Sequence, residues 1–335
     1  MSWREKCGIF LPSMFGSRSD EAISAPVNTL IPVTCSSVYT PPMRILVTGG
    51  SGFLGSTCRE ILAQRPDIQV TVLRSGYGPT PSETSVSSIE APSSLSAQDL
   101  SRSLGSVTIT HIVHIGALSS PETCEREPER ADYSNVRFTK MLAEYAIGIG
   151  AHLTTVSTDL VFDGAKAPEG GFTERCQPCP NSVYSRSKLL AEEATLKTPS
   201  NAVIRVSLLY GHTSSPSLGV LGWMERAFRE DYPLNLFSDE YRTPTHVADA
   251  AHATLTISER SLSGIWHCGG PARLSRVEFG TLVAQALGYD ASLIRPTSRR
   301  TLTNGPTRPE DVSLNSEKLW GALGMRPRGV GEALG

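Results

Sequence analysis

A chain of 335 residues with a formal net charge of −2 is long enough for one large core, or for a core with a smaller satellite domain. Its near-neutral balance gives no global attraction to nucleic acid or to an anionic membrane, and 39% hydrophobic with 19% charged residues is ordinary for a globular protein. No apolar run approaches the roughly 20 residues that a membrane helix needs, and no signal or transit pattern opens the chain, so a cytoplasmic protein is expected. The seven cysteines are odd in number and scattered, which suits a reducing compartment. Cys176 and Cys179 form a C-x-x-C pair with no second pair or spaced histidines to complete a zinc site, so no metal is assigned.

Residues 1–42 mix Ser, Pro and Thr without sustained periodicity and read as a disordered extension, or as sequence ahead of a functional start at Met43. From there, short apolar runs alternate with amphipathic stretches. Arg44–Thr48 predicts a buried parallel strand, and Leu54, Cys58, Ile61 and Leu62 mark one buried face of a following helix. Gln69–Leu73 predicts the second strand. Residues 75–107 are Ser- and Pro-rich, with only a short helix expected around Ala97–Leu104. Strands follow at His111–Ile115, His152–Ser157 and Ala202–Leu208, separated by helices over Asn135–Ile147 and Tyr184–Leu196. This alternation predicts an α/β fold with a doubly wound parallel Rossmann sheet over 43–211. Beyond it the pattern loosens: helices over Leu221–Arg229 and Val247–Ile257, a strand at Gly264–Cys268, and a capping box, Ser275-x-x-Glu278, opening a helix that stops at Gly288. Residues 212–335 therefore read mainly as a small substrate-binding lobe with interleaved returns to the core.

Three motifs carry chemistry. Gly49, Gly52 and Gly55 space a strand-to-helix turn as G-x-x-G-x-x-G, the form that lets a pyrophosphate approach backbone at a helix N-terminus, with Phe53 and Leu54 in its first turn. At the end of the second strand Arg74 stands where an NAD-preferring fold puts an acid, so the 2′-phosphate of NADP(H) is favoured, with NAD(H) the alternative. Tyr184 and Lys188 are four apart on one helix face, where the ammonium is expected to lower the phenol's pKa towards a useful range. Ser157-Thr158-Asp159 ends an apolar strand at the sheet's carboxyl edge, where a hydroxyl polarises a substrate oxygen.

With Val156–Gly164 (VSTDLVFDG) ahead of Tyr184-x-x-x-Lys188, and with Arg205–Gly211, Asp239–Asp249 and Arg308-Pro309, the chain resembles the extended short-chain dehydrogenase/reductases, and within them the dTDP-4-dehydrorhamnose reductase group. The likeness runs over nearly all of 43–335. It implies a catalytic set of Thr158, Tyr184 and Lys188 with Asp159 in support, cofactor contacts from Gly116 and Ala117, and substrate contacts from Ser119, Asp159 and Arg242. Arg242 is expected either to hold an anionic group or to serve as a structural ion-pair partner. The implied activity is NADPH-dependent reduction of a ketone, led by a nucleotide-linked 4-keto-6-deoxysugar, by a protein that dimerises in some relatives. Two alternatives stand beside it. One is a non-catalytic NADP-binding regulatory subunit such as the methionine adenosyltransferase β subunit. The other is a sugar-nucleotide epimerase or dehydratase, which the arginine at position 74 disfavours.

Overall fold

The computed structural model describes residues 42–74, 86–214, 219–302 and 305–335. The extension assigned to 1–42 lies outside them apart from Pro42, as does the first part of the Ser/Pro segment after Arg74.

Strands β1 (Met43–Thr48) and β2 (Ile68–Arg74) flank helix α1 (Phe53–Ala63), as their apolar patterns predict. An unexpected strand, β3 (Val86–Glu90), then pairs in parallel with β2. Its serines hide the apolar signal, yet Ser87 tethers it by hydrogen bonding to Thr71 and to the Val70 carbonyl. Helix α2 (Ala97–Leu104) leads to β4 (His111–His114), and the short helices α3 (Pro121–Arg126) and α4 (Pro128–Ala131) precede a π-turn over Asp132–Arg137 that runs into α5 (Phe138–Ile149). The wide turn aims Asn135 inward, where its side chain clamps both backbone groups of Leu118 and donates to Ser187 Oγ at 2.8 Å. Strand β5 (His152–Thr158) is buried along its whole length, helix α6 (Val183–Leu196) packs against it, and β6 (Ala202–Val206) follows.

The chain beyond β6 divides its work. Strand β7 (Leu209–Tyr210), helix α7 (Val220–Arg229) and β8 (Leu234–Phe237) start a lobe, and the two-residue strands β9 (Tyr241–Arg242) and β10 (Thr245–His246) lead back to the sheet. Helix α8 (Val247–Glu259) then covers α1, and β11 (Gly264–Cys268) joins the sheet beside β6. Strand β12 (Leu274–Ser275), helix α9 (Arg276–Leu287) and β13 (Ile294–Thr297) return to the lobe. There Phe279 and Val283 meet Leu221, Met224 and Leu236 in a separate apolar core. Both halves of the Ser275–Glu278 capping box form, and Gly288 ends α9 in the left-handed conformation. Helices α10 (Glu317–Leu323) and α11 (Val330–Leu334) close the chain.

The main sheet has seven parallel strands in the order β11-β6-β5-β4-β1-β2-β3. The order reverses between β1 and β4, and the carboxyl ends at that switch point form the crevice in which ligands of such sheets bind.

Candidate active site

Gly49 leaves β1 with a left-handed φ of +72°, and a Cβ there would sit 2.5 Å from the backbone nitrogen of Gly116. At Gly55 a Cβ would lie 2.0 Å from the Gly49 carbonyl oxygen. Both positions therefore demand glycine, because the loop folds tightly onto the end of β4 and onto its own helix. Helix α1 has no side-chain N-cap hydrogen bond and no acidic residue in its first turn. Its leading N–H groups and positive dipole end are left for an anion.

From this loop a cleft of about 740 Å³ runs along the carboxyl edge of the sheet to the lobe. Thr158, the last residue of β5, donates to Asp159 at 3.2 Å. The capping pair Ser182 and Ser185 starts α6 so that Tyr184, in its first turn, and Lys188, one turn later, reach the same cleft. Both are buried. Lys188 donates its Nζ to the Val156 carbonyl at 2.7 Å, and burial pulls its pKa down to about 8. The Tyr184 phenol is shifted the other way. Burial holds its proton on more tightly than usual, the Asp159 carboxylate adds to that, and hydrogen bonding from Thr158 opposes it. This corrects the expectation that Lys188 lowers the phenol's pKa: sharing a helix face did not prevent the ammonium from turning to Val156.

The far wall of the cleft comes from the lobe. Arg242 Nη1 donates to Asp159 Oδ1 at 2.6 Å, while Ser207 donates to Oδ2 at 2.8 Å. Beside it, buried Glu240 accepts from Arg276 Nε at 2.9 Å and from Arg308 at 3.4 Å. The pairing of Leu274 with Arg242 between β12 and β9 brings Arg276 alongside.

Of the residues singled out from sequence, Gly49, Gly52, Phe53, Leu54, Gly116, Ala117, Ser119, Thr158, Asp159, Tyr184, Lys188 and Arg242 all line this one cleft. Gly55 does not; its place is in loop packing. Arg74 also stands apart, and its guanidinium pairs with Glu90 on β3 at 3.2 Å, a partner hidden by the failure to foresee that strand. Arg242 turns out to be an ion-pair partner that also faces the cleft. Sequence reading missed Glu240 and Arg276, and the capping box that opens α9 at Ser275 was the nearest signal. A second cavity of about 600 Å³ lies on the other side of Gly49 and Gly116, walled by Leu73, Pro92, Leu95 and Tyr133. The two cavities share the glycine loop, so the residues present fit a dinucleotide laid across it, with Tyr184 and Lys188 at one end.

Known proteins share this fold. The chain is 30% identical over 298 residues to methionine adenosyltransferase 2 subunit beta of Xenopus laevis, covering 86% of this chain and 85% of that one. It is 26% identical to a probable low-salt glycan biosynthesis reductase, Agl14, of Haloferax volcanii, covering 84% and 93% of the two chains. The solved structure of dTDP-4-dehydrorhamnose reductase from Bacillus anthracis, in complex with NADP, superposes with a TM-score of 0.72 at 21% identity, covering 87% and 97%. The profile of the RmlD substrate binding domain matches residues 43–335, and the chain belongs to that family.

Proposed function

We propose that the protein is an NADP(H)-dependent reductase of a ketone. The observation that carries this reading is the convergence of Thr158, Tyr184 and Lys188 on a cleft that begins at the glycine loop. Bound NADPH supplies the hydride. Tyr184, which burial keeps protonated, gives its proton to the carbonyl oxygen as that oxygen gains charge. Thr158, whose one hydroxyl proton points to Asp159 in the free protein, would turn it to the same oxygen when a ketone is bound. Lys188, anchored on Val156, is placed to hold the nicotinamide ribose. Arg74 is assigned to the 2′-phosphate; its pairing with Glu90 tempers that preference, so NAD(H) is the alternative.

The names of the reductase relatives make a nucleotide-linked 4-keto-6-deoxysugar the first substrate to try. NADPH oxidation is followed with that sugar and with other ketones, for the wild type and Tyr184→Phe. Turnover that vanishes in the variant supports the reading, and no turnover with any ketone counts against it. One observation favours a second reading, the 30% identity to a methionine adenosyltransferase subunit. A regulatory subunit requires no turnover, and it would co-precipitate a methionine adenosyltransferase catalytic chain in a manner dependent on NADP.

A further inference from the structure

Behind the cleft, a buried set of side chains holds the wall that divides the two cavities. Gly116 and Ala117 line both cavities, and Leu118 lines the smaller one. That short segment is clamped at each end. The Gly116 N–H donates to Thr48 Oγ1 at 3.2 Å, and the Asn135 side chain takes both backbone groups of Leu118. Between the two clamps stands His114, the buried last residue of β4. Its Nδ1 lies 2.6 Å from Thr48 Oγ1, and its Nε2 lies 2.8 Å from Thr139 Oγ1 on α5.

Counting protons fixes the direction of every link. Thr139 gives its one hydroxyl proton to the Asn135 carbonyl at 2.6 Å, so it can only accept from the ring. The ring therefore carries a proton on Nε2. Burial, helped by the Lys188 ammonium, pushes the His114 pKa down to about 3, so the ring is neutral and its Nδ1 is an acceptor. Thr48 then donates to Nδ1 while it accepts from Gly116. Four hydrogen bonds run one way, from the Gly116 N–H through Thr48, His114 and Thr139 to the Asn135 carbonyl. Reversing any of them leaves a buried donor or acceptor unmatched, which is costly inside a protein. Neither His114 nor Thr139 lines either cavity, so their part is to hold the residues that do.

We propose that His114 is a positioning residue for the nucleotide: through Thr48 and Thr139 it joins the two clamps and fixes the Gly116–Leu118 wall against which NADP(H) lies. This rests on the reductase reading and adds to it a residue outside the cleft.

NADPH affinity, read by nicotinamide fluorescence, is compared in the wild type, Thr139→Val and Thr139→Ser. Valine keeps the shape of threonine without the hydroxyl, and serine keeps the hydroxyl. The expected result is binding about fivefold weaker in Thr139→Val, the size that loss of one buried hydrogen bond gives, and near the wild type in Thr139→Ser. Thr139→Ala repeats the deletion with less bulk in case valine prevents folding. In the wild type, nitrogen NMR of the imidazole should find its proton on Nε2 alone at neutral pH. A lower melting temperature in Thr139→Val with unchanged NADPH affinity would make the network a brace of the fold and overturn the inference, as would a proton on Nδ1. Failure of the wild type to bind NADPH overturns the reductase reading itself, and this inference with it.

Discussion

Two buried arginine–carboxylate pairs flank the reacting end of the cleft, and they are built in opposite ways. Beneath the sheet edge, Arg205 on β6 grips Glu192 on α6 with two hydrogen bonds, at 2.9 and 2.6 Å. Ser157 donates to the same carboxylate, His267 lies 3.3 Å from the guanidinium, and the Phe162 ring stacks beneath it. Neither member of that pair lines the cleft. On the far wall, Arg242 holds Asp159 by a single prong, keeps a buried Nε unpartnered, and faces the cleft. A pair closed on itself locks strand to helix and holds Ser157, and with it Thr158, in place. A pair held by one prong beside the cleft fixes Asp159 next to Thr158, and that contrast separates the frame of the molecule from the wall of its cleft.

The sharpest way to break the comparison is to remove each arginine. Arg205→Met leaves Glu192 charged and stranded in the interior, with an expected loss of about 3–5 kcal/mol in urea unfolding. Arg242→Met leaves Asp159 with Ser207 and Thr158 and beside the cleft, so an expected loss of about 1–2 kcal/mol accompanies a marked fall in turnover. Equal stability losses would contradict the distinction.

Next in size is Tyr184→Phe, expected to lower the rate of ketone reduction by roughly 10² to 10⁴-fold with an unchanged melting temperature, because only the proton donor is removed. A variant retaining a tenth of the activity would move the acid elsewhere. Gly49→Ala places a Cβ against Gly116 in a left-handed backbone, and nucleotide affinity is expected to fall by about 10 to 100-fold, equivalent to about 1.4–2.8 kcal/mol. Fluorescence titration measures it, and wild-type affinity would show that the loop does not touch the nucleotide.

The last effect concerns acid, and within any one pH unit it is modest. Burial, with Arg205 adding to it, lowers the His267 pKa from 6.5 to about 3. The unfolded chain therefore binds a proton below pH 6.5 that the folded chain refuses until about pH 3, so stability falls as pH drops through that window. His267→Gln should flatten the profile there by about 1.4 kcal/mol per pH unit, read as unfolding midpoint against pH. An unchanged slope would show that His267 is not held neutral by its burial beside the closed pair.

The same contrast explains what the sequence made legible. The glycine loop, the Ser275–Glu278 capping box and Tyr184 with Lys188 are local patterns whose spacing fixes their geometry, and the structure places Gly49, Gly52, Tyr184 and Lys188 on one cleft. Strand β3 escaped notice because a short edge strand with two adjacent serines, Ser87 and Ser88, at its centre carries almost no apolar period. Glu240 and Arg276 escaped because their contacts join residues 68 and 36 positions apart, and no short pattern encodes them. The acidity of Tyr184 was misjudged because helical spacing reports which face a side chain shares, and burial together with a neighbouring carbonyl decides which partner it takes.

The most direct test of the account is a titration of the purified protein with NADPH and NADH, followed by nicotinamide fluorescence in the wild type and in Arg74→Ala. The account predicts saturable binding of NADPH in preference to NADH, with the preference reduced in the variant. Binding of neither nucleotide would contradict the assignment of the glycine loop and its cleft as a dinucleotide site.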